Sequence, residues 1–251
     1  MISVVIFTYN EENNIAECIQ SARLLSDSLL VVDTSSTDQT VAIARSAGVD
    51  VLVIPPTEYV EPARLRGIQA ATGEWVFILD ADERITEELA TEIKKTVPQT
   101  DHSFFRIKRK NIFARKQWLR HGGWWPDEQI RLLKKSAFQT WPEKIHSTPV
   151  IEGSYGVLHE PLLHYFHGNI ASMVQKTILY ENIESELLFH AHRPATTKIF
   201  FRKFFGELNR RLIKNQGYRD GTVGVMEAVY QAFSKTITYL FLYEKNKNRS
   251  V

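Results

Sequence analysis

Trp75-Val76-Phe77-Ile78-Leu79-Asp80-Ala81-Asp82-Glu83 is an unbroken apolar run that ends in carboxylates at positions i and i+2. Apolar residues without polar alternation predict a strand buried on both faces, as in parallel sheets sandwiched between helices. Side chains two apart in extended chain point the same way, so Asp80 and Asp82 would present their oxygens together. Hard oxygen ligands suit Mg²⁺ or Mn²⁺, and open α/β sheets bind ligands beyond the carboxyl ends of their strands. Taken alone, the pair is equally readable as a solvated acidic turn that opens the next helix.

The flanking sequence repeats the pattern. Ser3 to Phe7 is another apolar strand, and Thr8-Tyr9-Asn10-Glu11-Glu12 turns into a helix from Asn10 to about Arg23, with Ile15, Ile19 and Ala22 at helical spacing. Leu29 to Val32 is a second strand, ending on Asp33. Thr34-Ser35-Ser36-Thr37-Asp38 supplies capping side chains for a helix that stops at Gly48. Val51 to Ile54, the helix Glu61 to Ala71 and the strand Glu74 to Leu79 complete the series. Strands alternating with helices predict an α/β fold with a parallel sheet. Thr8 to Glu12, Asp33 and Asp80 to Asp82 then lie along one edge of it, around one pocket.

Phe7-Thr8-Tyr9-Asn10-Glu11-Glu12, Val32-Asp33 through Thr40, Ala63-Arg64 with Gly67, and Gly73-Glu74-Trp75 running into Asp80-Ala81-Asp82-Glu83 occur in that order. Together they resemble family 2 glycosyltransferases, the inverting GT-A enzymes. Trp124-Trp125-Pro126-Asp127-Glu128-Gln129 with Arg131-Leu132-Leu133, and Gly217-Tyr218-Arg219-Asp220-Gly221 with Gly224, resemble the branch that includes lipopolysaccharide core β-1,4-glucosyltransferases. The resemblance implies a Rossmann-like nucleotide-diphospho-sugar transferase with a mostly parallel central sheet. Its catalytic domain is expected over residues 1–168, with a donor-binding half 1–100 and an acceptor-side half 101–168. An α-helical extension is expected over 169–251.

Carried over residue by residue, the resemblance implies that Thr8, Asn10, Glu11, Glu12, Asp33 and Arg64 hold the nucleoside of a nucleotide-sugar donor. Asp80 would contact the ribose and reach the metal through water, and Asp82 would ligate the Mn²⁺ or Mg²⁺ that bridges the diphosphate. The chemistry is consistent with these roles. Strand-end carboxylates accept hydrogen bonds from base imides and ribose hydroxyls, and a divalent cation neutralises charge on a leaving diphosphate. Arg64 has a competing reading as a solvated helix residue, and Leu65 stands where many relatives carry Asn.

Inverting transfer needs a base for the acceptor hydroxyl. Asp127 and Glu128 follow a proline-marked turn and precede an expected strand from Ile130 to Leu133. Asp127 matches the family's acidic position, Glu128 is the fallback, and the plain alternative is that Asp127 closes the turn after Pro126. Of Trp118, Trp124, Trp125 and Trp141, at least two are expected in the core and the others on a sugar face. His146 and His164 are similar to the family's later His positions, and His164 is carried as a candidate metal ligand beside Asp82 and Asp80.

Composition bounds the rest. The chain has 251 residues and a formal net charge of +2, too mild to argue for nucleic acid. Its single cysteine, Cys18, rules out an internal disulfide and reads as a small buried residue. No basic segment leads an apolar core at the N-terminus, so cytoplasmic residence is expected. Lys198, Arg202 and Lys203 interleave with Phe200, Phe201, Phe204 and Phe205. Such a helix either lies on an anionic membrane where lipid-linked acceptors reside, or packs its aromatic stripe on the catalytic domain, the favoured expectation. The apolar helix Thr222 to Tyr243 is interrupted by Glu227, Gln231 and Lys235, which argues against a membrane span. A homodimer is a further option for this extension.

Other functions fit less well. Nucleotidyltransferases and nucleotide-dependent oxidoreductases need a glycine-rich loop after the first strand, and Thr8 to Glu12 contains no glycine. A non-catalytic binding module would be marked by loss of the metal or base carboxylates, and all are present.

Overall fold

The computed structural model describes residues 1–57, 59–144, 147–166 and 170–248. The chain forms two compact units, Met1–Arg109 with Asp127–His164, and Lys110–Pro126 with Tyr165–Val251. The boundary expected at residue 168 lies outside the described residues, as does His146.

In chain order the elements are β1 (Ile2–Thr8), α1 (Ile15–Ala22), β2 (Leu29–Asp33), α2 (Thr40–Ser46), β3 (Asp50–Val53), α3 (Glu61–Ala70) and β4 (Trp75–Asp80). There follow β5 (Glu83–Arg84), α4 (Glu87–Thr96), β6 (Phe104–Phe113), β7 (Gln117–Trp118), β8 (Asp127–Lys134), β9 (Phe138–Thr140), β10 (Val150–Ile151), β11 (Tyr155–Val157) and β12 (Leu162–Phe166). Three helices end the chain: α5 (Ile170–His190), α6 (Thr197–Leu208) and α7 (Gly221–Asn248).

In the first unit the strands run in the order β3-β2-β1-β4-β8-β6. β3, β2, β1 and β4 are parallel neighbours, and β8 adds antiparallel to β4. Both faces are buried, which explains the unbroken apolar runs. Val4, Ile6, Phe77 and Leu79 join one cluster with Ile15, Ile19, Leu89 and Ile93 of α1 and α4. Val5, Phe7, Val76 and Ile78 join another with Ala63 and Ile68 of α3. Alternate residues of one strand thus feed opposite layers. α3 lies so close to β1 that a Cβ on Gly67 would stand 2.7 Å from the Phe7 ring and 2.8 Å from Val5 Cγ1.

Two local expectations change. α1 starts at Ile15 rather than near Asn10, because Asn10 is left-handed (φ 51°) and its loop is tied to the one after β2. Asp127 and Glu128 open β8 rather than preceding it, opposite Arg109 and Lys108 of β6.

In the second unit α7 packs against both α5 and α6. Buried Glu181 of α5 accepts from Ser234 Oγ (2.5 Å) and from the Thr238 hydroxyl of α7. A π-helical turn, Asn209–Lys214, follows α6. Asp220 accepts from the Arg120 and His121 amides at 2.9 and 2.7 Å and pairs with His121 Nδ1 at 2.7 Å. Gly224 allows this packing, since a Cβ there would meet Gly217 O at 2.1 Å. Among the described residues no helix is long and apolar enough to cross a membrane. Phe201 and Phe205 of α6 are 51% and 60% exposed, whereas Phe200 and Phe204 are half-buried on a helix that packs against α7.

Candidate active site

The carboxyl ends of β1, β2 and β4 lie side by side, Thr8 in register with Asp33 and Phe7 with Asp80. The loops above them are knitted together. Asn10 N donates to Ser36 Oγ (2.8 Å), Thr37 N to Asn10 Oδ1 (2.8 Å), Glu11 N to Thr40 Oγ1 (2.8 Å) and Gln39 N to Glu12 Oε2 (3.1 Å). Asn10 Oδ1 and Glu12 Oε2, expected to face a donor, thus already serve as loop acceptors. Glu11 Oε2 accepts from Asn14 Nδ2 (2.6 Å). Asp33 is buried and accepts from Ser36 N (2.8 Å) and Ser36 Oγ (2.5 Å). Thr8 Oγ1 and Arg64 Nη1 are buried with no hydrogen-bond partner among the described residues. Such atoms call for a polar partner, and a bound nucleotide would supply one.

Arg64 is buried, which removes the solvated-helix alternative. Its guanidinium lies 5.2 Å from the ring centroids of Phe7 and Trp141, and its Nη2 donates to both oxygens of Asp80 at 2.9 and 3.0 Å. Arg131 Nη2 reaches Asp80 Oδ2 at 2.6 Å. Burial opposes ionisation of Asp80, but the charges of Arg131 and Arg64 outweigh it and hold the carboxyl well below the usual carboxylate range. Asp80 therefore sits between two arginines in its strand-end position.

Asp82 and His164 come together at the next turn. His164 pairs with Glu83 across β12 and β5, and its Nε2 stands 3.4 Å from Asp82 Oδ2. An oxygen and a nitrogen donor side by side, both partly exposed, fit a divalent cation such as Mn²⁺. Among the described residues no group of three or more His, Cys, Asp or Glu is placed to hold a metal ion. The turn itself is pinned by Arg84, whose Nη1 donates to Ala81 O and Glu83 O, each at 2.8 Å. Cys18 is buried behind it, as expected, with Sγ 3.6 Å from Asp80 O, and burial pushes its thiol pKa up.

Asp127 is fixed by Arg109, whose Nε and Nη2 approach Oδ2 at 2.9 and 2.7 Å, and by Gln129 Nε2 at 2.8 Å from Oδ1. Glu128 is exposed beside it. Buried Glu83 accepts from Asp80 N (3.0 Å), Arg131 Nη2 (2.6 Å) and Arg109 Nη1 (3.2 Å). Arg131 stands at a β-bulge. Phe105 pairs with Leu132 and Arg106 with Ile130, leaving Arg131 without a paired residue on β6.

The model of glycosyl transferase family 2 matches residues 3–155, more than half of the chain. The chain belongs to this family. It is a GT-A-like α/β glycosyltransferase. Among similar proteins is an uncharacterized glycosyltransferase of Rickettsia conorii, 28% identical over 98% of this chain and 92% of that one. The glycosyltransferase SunS of Bacillus phage SPbeta is 32% identical over 38% of this chain and 23% of its own. A solved glucosyl-3-phosphoglycerate synthase from Mycobacterium tuberculosis, in complex with Mn²⁺, UDP and phosphoglyceric acid, is 26% identical over 45% of this chain and 43% of that one, with a TM-score of 0.37. S. aureus TarS 1–349 covers 99% of this chain and 91% of that one at 14% identity and a TM-score of 0.48.

In this glycosyltransferase the sequence named the strand-end residues but assigned no role to Glu83, Arg84, Arg109 or Arg131. The available signal was a charged residue inside an apolar strand, as Arg131 stands between Ile130 and Leu132.

Proposed function

We propose that this glycosyltransferase moves a hexose from a UDP-linked donor to a hydroxyl of a cell-envelope glycan or lipid-linked acceptor, with inversion at the anomeric carbon. Thr8, Asn10, Glu11, Glu12, Asp33, Arg64 and Asp80 form the donor wall. Asp82 and His164 hold a divalent cation, Mn²⁺ or Mg²⁺, with Asp80 behind them. When bound, that cation neutralises the charge of the leaving diphosphate.

Asp127 accepts the acceptor's proton as the hydroxyl oxygen attacks, and Glu128 is its fallback. Arg109 and Gln129 keep Asp127 oriented, and a fixed base contributes about 10²–10⁴-fold to such a step. The observation that carries this reading is the Asp82–His164 pair in the turn that follows β4, together with the unsatisfied Thr8 and Arg64 atoms.

The acceptor reading rests on the resemblance of Trp124 to Leu133 to lipopolysaccharide core enzymes. Exposed Phe201 and Phe205 beside Lys198 and Arg202 support peripheral contact with an anionic membrane from the cytoplasmic side.

The test incubates the protein with UDP-glucose, UDP-galactose, UDP-N-acetylglucosamine and GDP-sugars, with and without Mn²⁺. Binding by calorimetry and slow donor hydrolysis are followed. One UDP-hexose is expected to bind in a metal-dependent way and to be hydrolysed. Asp82→Ala should lose the binding, and Asp127→Asn should bind but not hydrolyse. Absence of binding by every nucleotide sugar would overturn the proposal.

A further inference from the structure

Four interactions join the donor turn to the residue assigned as base. Asp80 Oδ2 meets Arg131 Nη2 at 2.6 Å, Arg131 Nη2 meets Glu83 Oε1 at 2.6 Å, Glu83 Oε1 meets Arg109 Nη1 at 3.2 Å, and Arg109 Nη2 meets Asp127 Oδ2 at 2.7 Å. Glu83 is the hinge of this chain. Its other oxygen holds the backbone amide of Asp80, so one side chain fixes both the turn that precedes Asp82 and the arginine that grips Asp127.

Glu83 has no exposed surface, so it cannot touch donor or acceptor. Stability does not explain it well either, because desolvation of buried charges offsets most of their attraction, and apolar replacements of such pairs are often neutral or better. Its neighbour Arg131 stands at a bulge in β8, and bulges are over-represented next to active sites.

We propose that Glu83 is a positioning residue for the transfer step, acting through Arg109 on Asp127 and through the Asp80 amide on the metal turn. The inference rests on Asp127 being the base. Arg109 divides its guanidinium between two carboxylates, Nη1 to Glu83 and the Nε/Nη2 edge to Asp127. The Glu83 contact sets the plane of the fork, and the fork sets the carboxylate of Asp127. Without Glu83, Asp127 is the only anion left on that guanidinium among the described residues, and the fork is free to follow it out of the reacting orientation. Misplacement of a reacting group by even an ångström lowers turnover steeply while leaving binding intact.

The experiment compares wild type, Glu83→Gln, Arg109→Lys and the double variant in Mn²⁺-dependent hydrolysis of whichever UDP-hexose wild type turns over, with UDP–Mn²⁺ binding measured in parallel. Each single variant is expected to lose about 10–100-fold in kcat, the usual effect of residues that orient a ligand or catalytic group, with KM and UDP binding unchanged. The double variant should be no worse than the poorer single one, because both act through one contact. Arg109→Lys keeps the charge but loses the fork, so it carries the test if Glu83→Gln does not fold. Full kcat in Arg109→Lys or in folded Glu83→Gln, with Asp127→Asn inactive, overturns the positioning role alone. An Asp127→Asn variant that still turns over sinks the base assignment instead.

Discussion

His164 Nε2 lies 3.4 Å from Asp82 Oδ2, a contact between β12 and the turn joining β4 to β5. The two side chains carry different donor atoms and are both only partly exposed. Replacing Asp82 with Asn removes the anionic ligand and leaves a similar shape. Mn²⁺-dependent affinity for UDP should fall at least about tenfold, as titration calorimetry with and without Mn²⁺ would show. His164→Ala should weaken the same binding, and an unchanged affinity in both variants would refute the paired-ligand arrangement.

Asp80 carries a pH signature. Its folded-state pKa is depressed, so its ionised form favours the folded state at neutral pH, and that contribution is lost as pH falls below the ordinary carboxylate value of about 4. Asp80→Asn leaves Arg64 and Arg131 short of a partner and should cost about 3 kcal/mol at pH 7. Thermal unfolding curves should show the two proteins converging below pH 4.

Glu227 on α7 has the opposite sign. Burial pushes its carboxyl pKa up, so its ionisation opposes folding as pH rises above the ordinary glutamate range. Glu227→Gln should raise Tm at pH 8 and leave it unchanged at pH 4. A lower Tm at pH 8 would show that the charge is needed there.

Gly67 tests the closeness of α3 to β1. A methyl there meets the Phe7 ring at 2.7 Å, and overpacking of this kind costs about 1–3 kcal/mol. Because the Phe7 ring also lies under Arg64, Gly67→Ala should weaken UDP binding as well as lower Tm.

The parallel strands were legible because burial on both faces writes itself as unbroken apolar runs, as in Val4 to Phe7 and Trp75 to Leu79. The strand-end candidates followed from those endings. Less legible was anything that depends on the partner strand. The bulge at Arg131 exists only in the pairing of β8 with Phe105 and Arg106, and although a charge between Ile130 and Leu132 hints at a buried role, it does not say which carboxylates Arg131 meets. Asp127 was expected between the turn at Pro126 and a strand starting at Ile130, whereas pairing with Arg109 extends β8 back to it. The late start of α1 has a similar origin, since the bonds that hold residues 10–12 out of the helix come from Ser36, Thr37, Asp38, Gln39 and Thr40.

The division of the chain bears on the order in which the protein can be built. The polypeptide leaves the first unit after Arg109, returns at Asp127 and leaves again after His164. Until the return segment emerges from the ribosome, β4 has β1 on one side and an open edge on the other, where β8 later pairs with Trp75, Val76 and Phe77. An apolar strand with an open edge is a template for association with other chains. A polypeptide that stops before Asp127 should therefore aggregate, although it contains every candidate donor-side residue from Thr8 to Asp82. Those candidates are contiguous in sequence, yet the strand that carries Asp80 is closed on its far side by a segment made some fifty residues later.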